Sequence, residues 1–375
     1  MKWYGWAGVI LLCVSEYCLF YRIDPFYSWF YCFAWWSYIL VADSLLFRLR
    51  GRSLFVGRRR ELMGMLLLSI FIWLIFEMYN LVIHNWAYRE VISNIWLRWA
   101  GYSLAFATVL PGIFITSDLL EIWLFGDHEG PGASEADSMP GKPGDRATRL
   151  FLFLGIFLST APLIWPRYFF ATIWLGPIFV LDPLLEKMQI RSLSLSISSG
   201  SRRRVWSLLL GGLACGLMWE FWNFWAPSKW IYSVPFFSRW KVFEMPVLGF
   251  LGFPPFALEC WILYHLISAG IRRAGSAPLR AALWLLLAAC CLLIFYGIDR
   301  RTVVSFAGSP AFGYFNRQST IFRCSSCRCR GSSSDGASNI RSLALAVLGN
   351  AITSRMFGSS ASSMTRRSIP GAIPP

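Results

Sequence analysis

Nine stretches of about 20 mostly apolar residues constrain this chain more than any other feature. They run over 3–21, 26–47, 62–83, 104–125, 149–166, 168–185, 206–225, 247–266 and 279–297. At 1.5 Å of rise per residue, about 20 apolar residues match the ~30 Å hydrocarbon layer of a bilayer. A backbone in that layer must satisfy its own polar groups, and continuous apolar runs do so as helices. The fold read from this is all-α: a polytopic transmembrane helical bundle of about nine helices. Composition agrees, with 56% hydrophobic residues, 15% charged and a mean hydropathy of +0.51. Soluble domains are typically about one-quarter charged. The first run, MKWYGWAGVILLCV, continues through Tyr21 with no small-residue cleavage site, so it reads as a retained helix rather than a signal peptide. The runs 149–166 and 168–185 are joined only at Pro166-Arg167, which leaves two spans or a re-entrant pair open.

The formal net charge of +15 does not point to nucleic acid, because the cations cluster in short loops between apolar runs. Loop 48–61 holds six Arg; loops 186–205 and 267–280 are also rich in Arg and Lys. Alternation puts all three on the side of the N-terminus, and the bias of positive loops makes that side cytoplasmic. Seven of the ten Cys lie inside apolar runs, where they act as small hydrophobes. Segment 126–148 is rich in Gly, Pro and acids and reads as a flexible linker. The stretch 308–375 turns to Ser, Gly and Arg and reads as a disordered tail. Its CSSCRCR run offers three thiols, one short of a usual zinc set. His84, His128 and His265 make no cluster with carboxylates, and no phosphate or dinucleotide loop occurs. No metal or cofactor is therefore expected.

The apolar runs fall into two halves with matching punctuation. Trp35, Asp43, Leu45-Leu46 and Arg52-Ser53-Leu54 recur with identical spacing as Trp174, Asp182, Leu184-Leu185 and Arg191-Ser192-Leu193, 139 residues on. Each half then has an Arg triplet, at 58–60 and 202–204, and a helix ending in a box: Phe76-Glu77-Met78-Tyr79-Asn80 in one, Trp219-Glu220-Phe221-Trp222-Asn223 in the other. A W-x-Y follows each, at Trp86/Tyr88 and Trp230/Tyr232. This predicts a tandem repeat of a four-helix unit, 1–125 and 149–266, with 279–297 as an extra ninth helix. An even number of crossings per unit makes the copies parallel.

Glu and Asn at i and i+3 share a helix face, and a carboxylate at membrane depth usually marks a pathway or a site. Glu77, Asn80, Tyr79, Trp86 and Tyr88 in one copy, and Glu220, Asn223, Trp222, Trp230 and Tyr232 in the other, are therefore candidate binding residues for an apolar or cationic ligand. Aromatic residues at a headgroup interface with a helix-locking Glu give the structural alternative. Glu259, in a Gly- and Pro-broken apolar run, joins them, and Glu220 and Glu259 are candidate general acids or bases. Glu244 reads as an interface residue. Asp43 and Asp182 read as structural ion pairs with the neighbouring basic loops.

The strings WEFWNFWAPSKWIY at 219–232 and FEMPVLGFLGFPPFALE at 243–259 resemble those of an uncharacterised family of bacterial polytopic inner-membrane proteins. The resemblance covers roughly residues 20–300 and implies a prokaryotic inner membrane and no activity. Three functions follow as expectations: binding or transport of a small molecule or lipid between the two repeats, intramembrane chemistry on a lipid or isoprenoid with Glu as acid or base, or a scaffold. The bilayer is the expected partner.

Overall fold

The computed structural model describes residues 1–126, 145–190, 192–198, 202–236 and 238–307. The linker's 127–144 and all of 308–375, with the CSSCRCR run, lie outside the described residues. The chain is an all-α membrane protein. Its helices are α1 (Trp3–Tyr21), α2 (Phe30–Arg50), α3 (Arg59–Ile83), α4 (Ile95–Phe106), α5 (Val109–Phe125), α6 (Asp145–Ile164), α7 (Pro166–Phe169), α8 (Gly176–Lys187), α9 (Leu193–Ser198), α10 (Arg203–Trp225), α11 (Phe253–Arg273) and α12 (Ala277–Arg301). Among the described residues eight segments are long and apolar enough to cross a membrane, and Thr148–Ile164 is a shorter apolar helix.

Several boundaries differ from those expected. The fourth span starts at Ile95 rather than 104, because Arg98 interrupts the apolar run without interrupting the helix. That span is broken at Ala107-Thr108, and Ser69 of α3 repairs the break: its hydroxyl donates to Phe106 O at 2.6 Å and accepts from Leu110 N at 3.0 Å. The run 168–185 is not one helix but α7, a 3-10 turn over Phe170–Trp174, and α8. Pro254 and Pro255 do not break a helix; they occupy the first turn of α11, where their missing N–H groups cost nothing. The linker expected to reach 148 ends sooner, since α6 is helical from Asp145.

Helices in lipid gain little from hydrophobicity alone and associate where small residues let backbones approach. A Cβ on Gly8 of α1 would meet the Ser37 carbonyl of α2 at 2.8 Å, and one on Gly155 of α6 would meet the Val180 backbone of α8 at the same distance. Gly212 and Gly216 seat α10 against Phe253 and Ala257 of α11. In contrast, α12 is mostly exposed along its length and faces lipid; Phe295 and Ile298 are its buried residues.

The two matched aspartates are held by amide and hydroxyl donors; Arg191, one of the basic residues expected beside Asp182, lies outside the described residues. Buried Asp43 accepts from Tyr4 Oη and Ser53 Oγ at 2.7 Å each and from Leu54 N at 2.9 Å. Asp182 accepts from Leu193 N at 2.7 Å and Ser194 N at 2.9 Å. Each carboxylate ties the chain that follows its helix back onto the helix end, with amide and hydroxyl donors doing the holding. Gly51 makes the turn after α2 at φ +70°, a left-handed conformation that suits glycine, and donates to Phe47 O at 2.8 Å.

Four short strands complete the described fold: β1 (Trp86–Arg89), β2 (Lys229–Tyr232), β3 (Lys241–Val242) and β4 (Met245–Pro246). β1 and β2 pair antiparallel with Trp86 opposite Tyr232 and Tyr88 opposite Trp230. The other edge of β1 takes the chain after α12, through Tyr88 N to Thr302 O and Val304 N to Tyr88 O, both at 2.8 Å. This ribbon lies at the opposite end of α3 and α10 from the Arg-rich loops. Arg204 pairs there with Asp118 and Glu121 of α5, and Arg273 donates to Met188 O.

Candidate functional site

Both E-x-x-N boxes support the ribbon. Asn80 holds β1 by two bonds to one residue: Nδ2 donates to Trp86 O at 2.8 Å, and Trp86 N donates to Oδ1 at 3.1 Å. Asn223 holds β2 in the same way, through Trp230 O at 2.9 Å and Trp230 N at 3.0 Å. An Asn side chain presents a donor and an acceptor side by side, so it substitutes for a neighbouring strand. The glutamates one turn earlier take the side chains of the same W-x-Y residues. Glu77 Oε1 accepts from Trp86 Nε1 at 2.9 Å, from Trp73 Nε1 at 3.1 Å and from Tyr88 Oη. Glu220 Oε1 accepts from Tyr232 Oη at 2.7 Å, and Trp230 Nε1 donates to that tyrosine oxygen at 2.8 Å instead of to the carboxyl. Burial, then the adjacent carboxylate, pushes both tyrosine phenols well above their ordinary range, so each hydroxyl stays a donor.

The tryptophans that open each matched series cross over. Trp35 of α2 packs on Trp219 and Trp222 of α10, with ring centres at 5.4 and 5.1 Å. Trp174, before α8, stacks on Phe76 of α3 at 5.1 Å. Each half thus inserts a tryptophan against the box of the other.

Between the halves and beneath the ribbon is a cavity of about 200 Å³. Trp73 is on its wall ten residues before the end of α3, so the cavity descends about 15 Å from that end. Of the candidates named from sequence, Trp86, Tyr88, Glu220, Trp230 and Tyr232 line it. Glu77 is not among the lining residues and meets the cavity wall through its three donors, Trp73, Trp86 and Tyr88. Asn80 and Asn223 are buried and spent on backbone, Trp222 is packed on Trp35, and half-buried Tyr79 is not among the lining residues. Glu259 is 1% exposed on α11, away from the lining, and neither of its oxygens has a hydrogen-bond partner. Glu77 Oε2 and Glu220 Oε2 are likewise buried without partners.

Sequence reasoning missed two ion pairs at the cavity wall. Arg98 lines the cavity and is held from behind by Asp299 of α12, Nε to Oδ1 at 2.8 Å and Nη2 to Oδ2 at 2.7 Å, with both side chains nearly buried. Trp99 Nε1 and Tyr102 Oη also donate to Asp299. Lys229 lines the cavity and pairs with Glu244 at 2.9 Å, which gives Glu244 a definite partner. The available signals were Arg98 within a helical apolar stretch and Asp299 at the end of another. Nothing local joins residues 201 positions apart.

Among the described residues no group of three or more His, Cys, Asp and Glu side chains is placed to hold a metal ion. What the cavity offers is aromatic faces, tyrosine and serine hydroxyls, the Asn85 side chain, two neutralised cations and one carboxyl with an unused oxygen. Compared with family models, curated proteins and solved structures, the chain matches none.

Proposed function

We propose that the protein binds a small, largely apolar molecule or lipid in the cavity between its two halves, and that these halves are copies of one unit related by a two-fold axis along the membrane normal. The observation that carries the binding reading is the cavity itself: a wall dominated by aromatic rings with a few convergent polar groups, reaching well below the ribbon. The duplication is supported by matched bonds: Asn80 and Asn223 on their strands, Asp43 and Asp182 on Leu54 and Leu193, and the reciprocal register of β1 and β2. With the Arg-rich loops in the cytoplasm of a prokaryotic cell and the protein in its inner membrane, the cavity would lie toward the outer face.

Mass spectrometry of molecules retained by the purified protein tests binding. Gly101 lines the cavity, and a Cβ there would meet nothing nearer than Trp29 at 4.0 Å. Gly101→Phe should fill the space and strip the retained molecule without lowering protein abundance or melting temperature. Retention of the same molecule by that variant would count against the cavity. A second reading, intramembrane chemistry on a lipid or isoprenoid, draws on the unused Oε2 of Glu220 as a proton acceptor or donor. It predicts that Glu220→Gln changes the lipid composition of cells while leaving retention intact.

A further inference from the structure

We infer that the occupant of the cavity carries an ammonium group, which Glu220 and the surrounding ring faces bind; this rests on the cavity being a binding site. The polar groups of the wall do not contribute equally once their partners are counted. Arg98 is fully engaged by Asp299, and Lys229 by Glu244 and the Phe224 carbonyl, so neither cation is left to attract an anion. The tyrosine hydroxyls of Tyr88 and Tyr232 donate to Glu77 and Glu220. Ser28, Asn85 and Ser228 add neutral polar groups to the wall; among its acidic and basic side chains, the group left unmatched is the second oxygen of Glu220, buried and accepting from nothing. An unmet carboxyl oxygen calls for a donor, and a cationic donor satisfies it most strongly.

The rings around it favour the same chemistry. Tyr31, Trp219 and Trp230 line the cavity with Glu220, and aromatic faces attract organic cations through their quadrupole. Tyr31 and Trp230 already meet edge to face, with ring centres at 5.1 Å.

The other box explains why Glu220 is the free one. One turn before Glu77 stands Trp73, which donates to it; one turn before Glu220 the equivalent residue is Gly216. No indole is possible there, and the ring of Phe253 occupies the space a Cβ would need. Trp230, the counterpart of Trp86, turns its N–H to Tyr232. Glu77 therefore accepts three donors and Glu220 one; each keeps an unused Oε2, and of the two residues Glu220 is the one that lines the cavity.

The test uses three probes with one body, 4-phenylbutylamine, 4-phenylbutanol and 4-phenylbutyl phosphate, titrated into the full-length protein in lipid nanodiscs. Tryptophan fluorescence and melting temperature report binding. The amine should bind at least about tenfold more tightly than the alcohol or the phosphate. Glu220→Gln, which still accepts from Tyr232, should erase that preference, and Glu77→Gln should leave it. The alcohol or phosphate binding as tightly as the amine overturns the inference on the wild-type protein alone, whatever the variants do. Preference persisting in Glu220→Gln overturns it too. Silence from all three probes would defeat the cavity-binding reading along with it.

Discussion

The boxes at residues 76–80 and 219–223 share Glu and Asn at the same spacing and hold the same ribbon through matching bonds, yet their carboxyls are not equally engaged. Around Glu77 three donors converge on a single oxygen and the residue is cut off from the cavity by its own partners. Around Glu220 one donor remains, and the residue is part of the cavity wall. The difference traces to two indoles: Trp73, where the other half has Gly216, and Trp86, which donates to Glu77 where Trp230 turns to Tyr232. It teaches that a repeated motif does not imply a repeated role: one carboxyl locks, and its twin is left with something to bind.

The comparison can be broken most directly by removing each carboxyl. Glu77→Ala orphans three buried donors, at about 1–3 kcal/mol apiece, so at least about 3 kcal/mol of stability should be lost. Glu220→Ala orphans one, and should cost roughly a third as much. Unfolding in detergent, followed by tryptophan fluorescence, measures both. Equal losses would mean that the two boxes are structurally equivalent after all. Next in size are Asn80→Ala and Asn223→Ala. Each frees one strand N–H and one carbonyl, so both should lose about 2 kcal/mol, and the same amount. Unequal losses would place the asymmetry in the ribbon and not only in the carboxyls. The smallest effect is Trp73→Phe, which withdraws one of the three donors to Glu77 while keeping an edge-to-face ring contact with Phe256. About 1 kcal/mol is expected, and a loss as large as that of Glu77→Ala would show that Trp73 alone carries the lock.

How much of this was written in the chain depends on the range of the interaction. Spans were legible because a bilayer demands about 20 apolar residues whatever surrounds them. The start of α4 was not, because Arg98 looks like the end of an apolar run until Asp299 neutralises it from a distant helix. The boxes were legible from the i, i+3 spacing of Glu and Asn, but their role was not. Nothing in W-x-Y says that it forms a strand in an otherwise helical chain, because β1 becomes a strand only when β2 is beside it. Asp43 and Asp182 were assigned to nearby basic residues on charge alone, and the backbone amides of Leu54 and Leu193 that also bind them carry no signature in the sequence. Glu259 was found as a buried acid in an interrupted run, and the run does change from a 3-10 turn over Val247–Gly252 to α11; its prolines were misplaced, since proline at a helix start and proline inside a helix read alike until the first turn is located.

The two edges of β1 also set a timetable for the protein's synthesis. One edge is completed by residues 229–232 and the other by residues 302–307. At about 5–20 residues per second, roughly 7–30 seconds separate the making of β1 from the arrival of its first partner. For that interval the first half is inserted but has an open strand at its end, held by Asn80 and Glu77 of α3 without either strand-edge partner. A nascent chain stalled between residues 125 and 229 should be a substrate for membrane quality control, and the two halves should mature together or be cleared together.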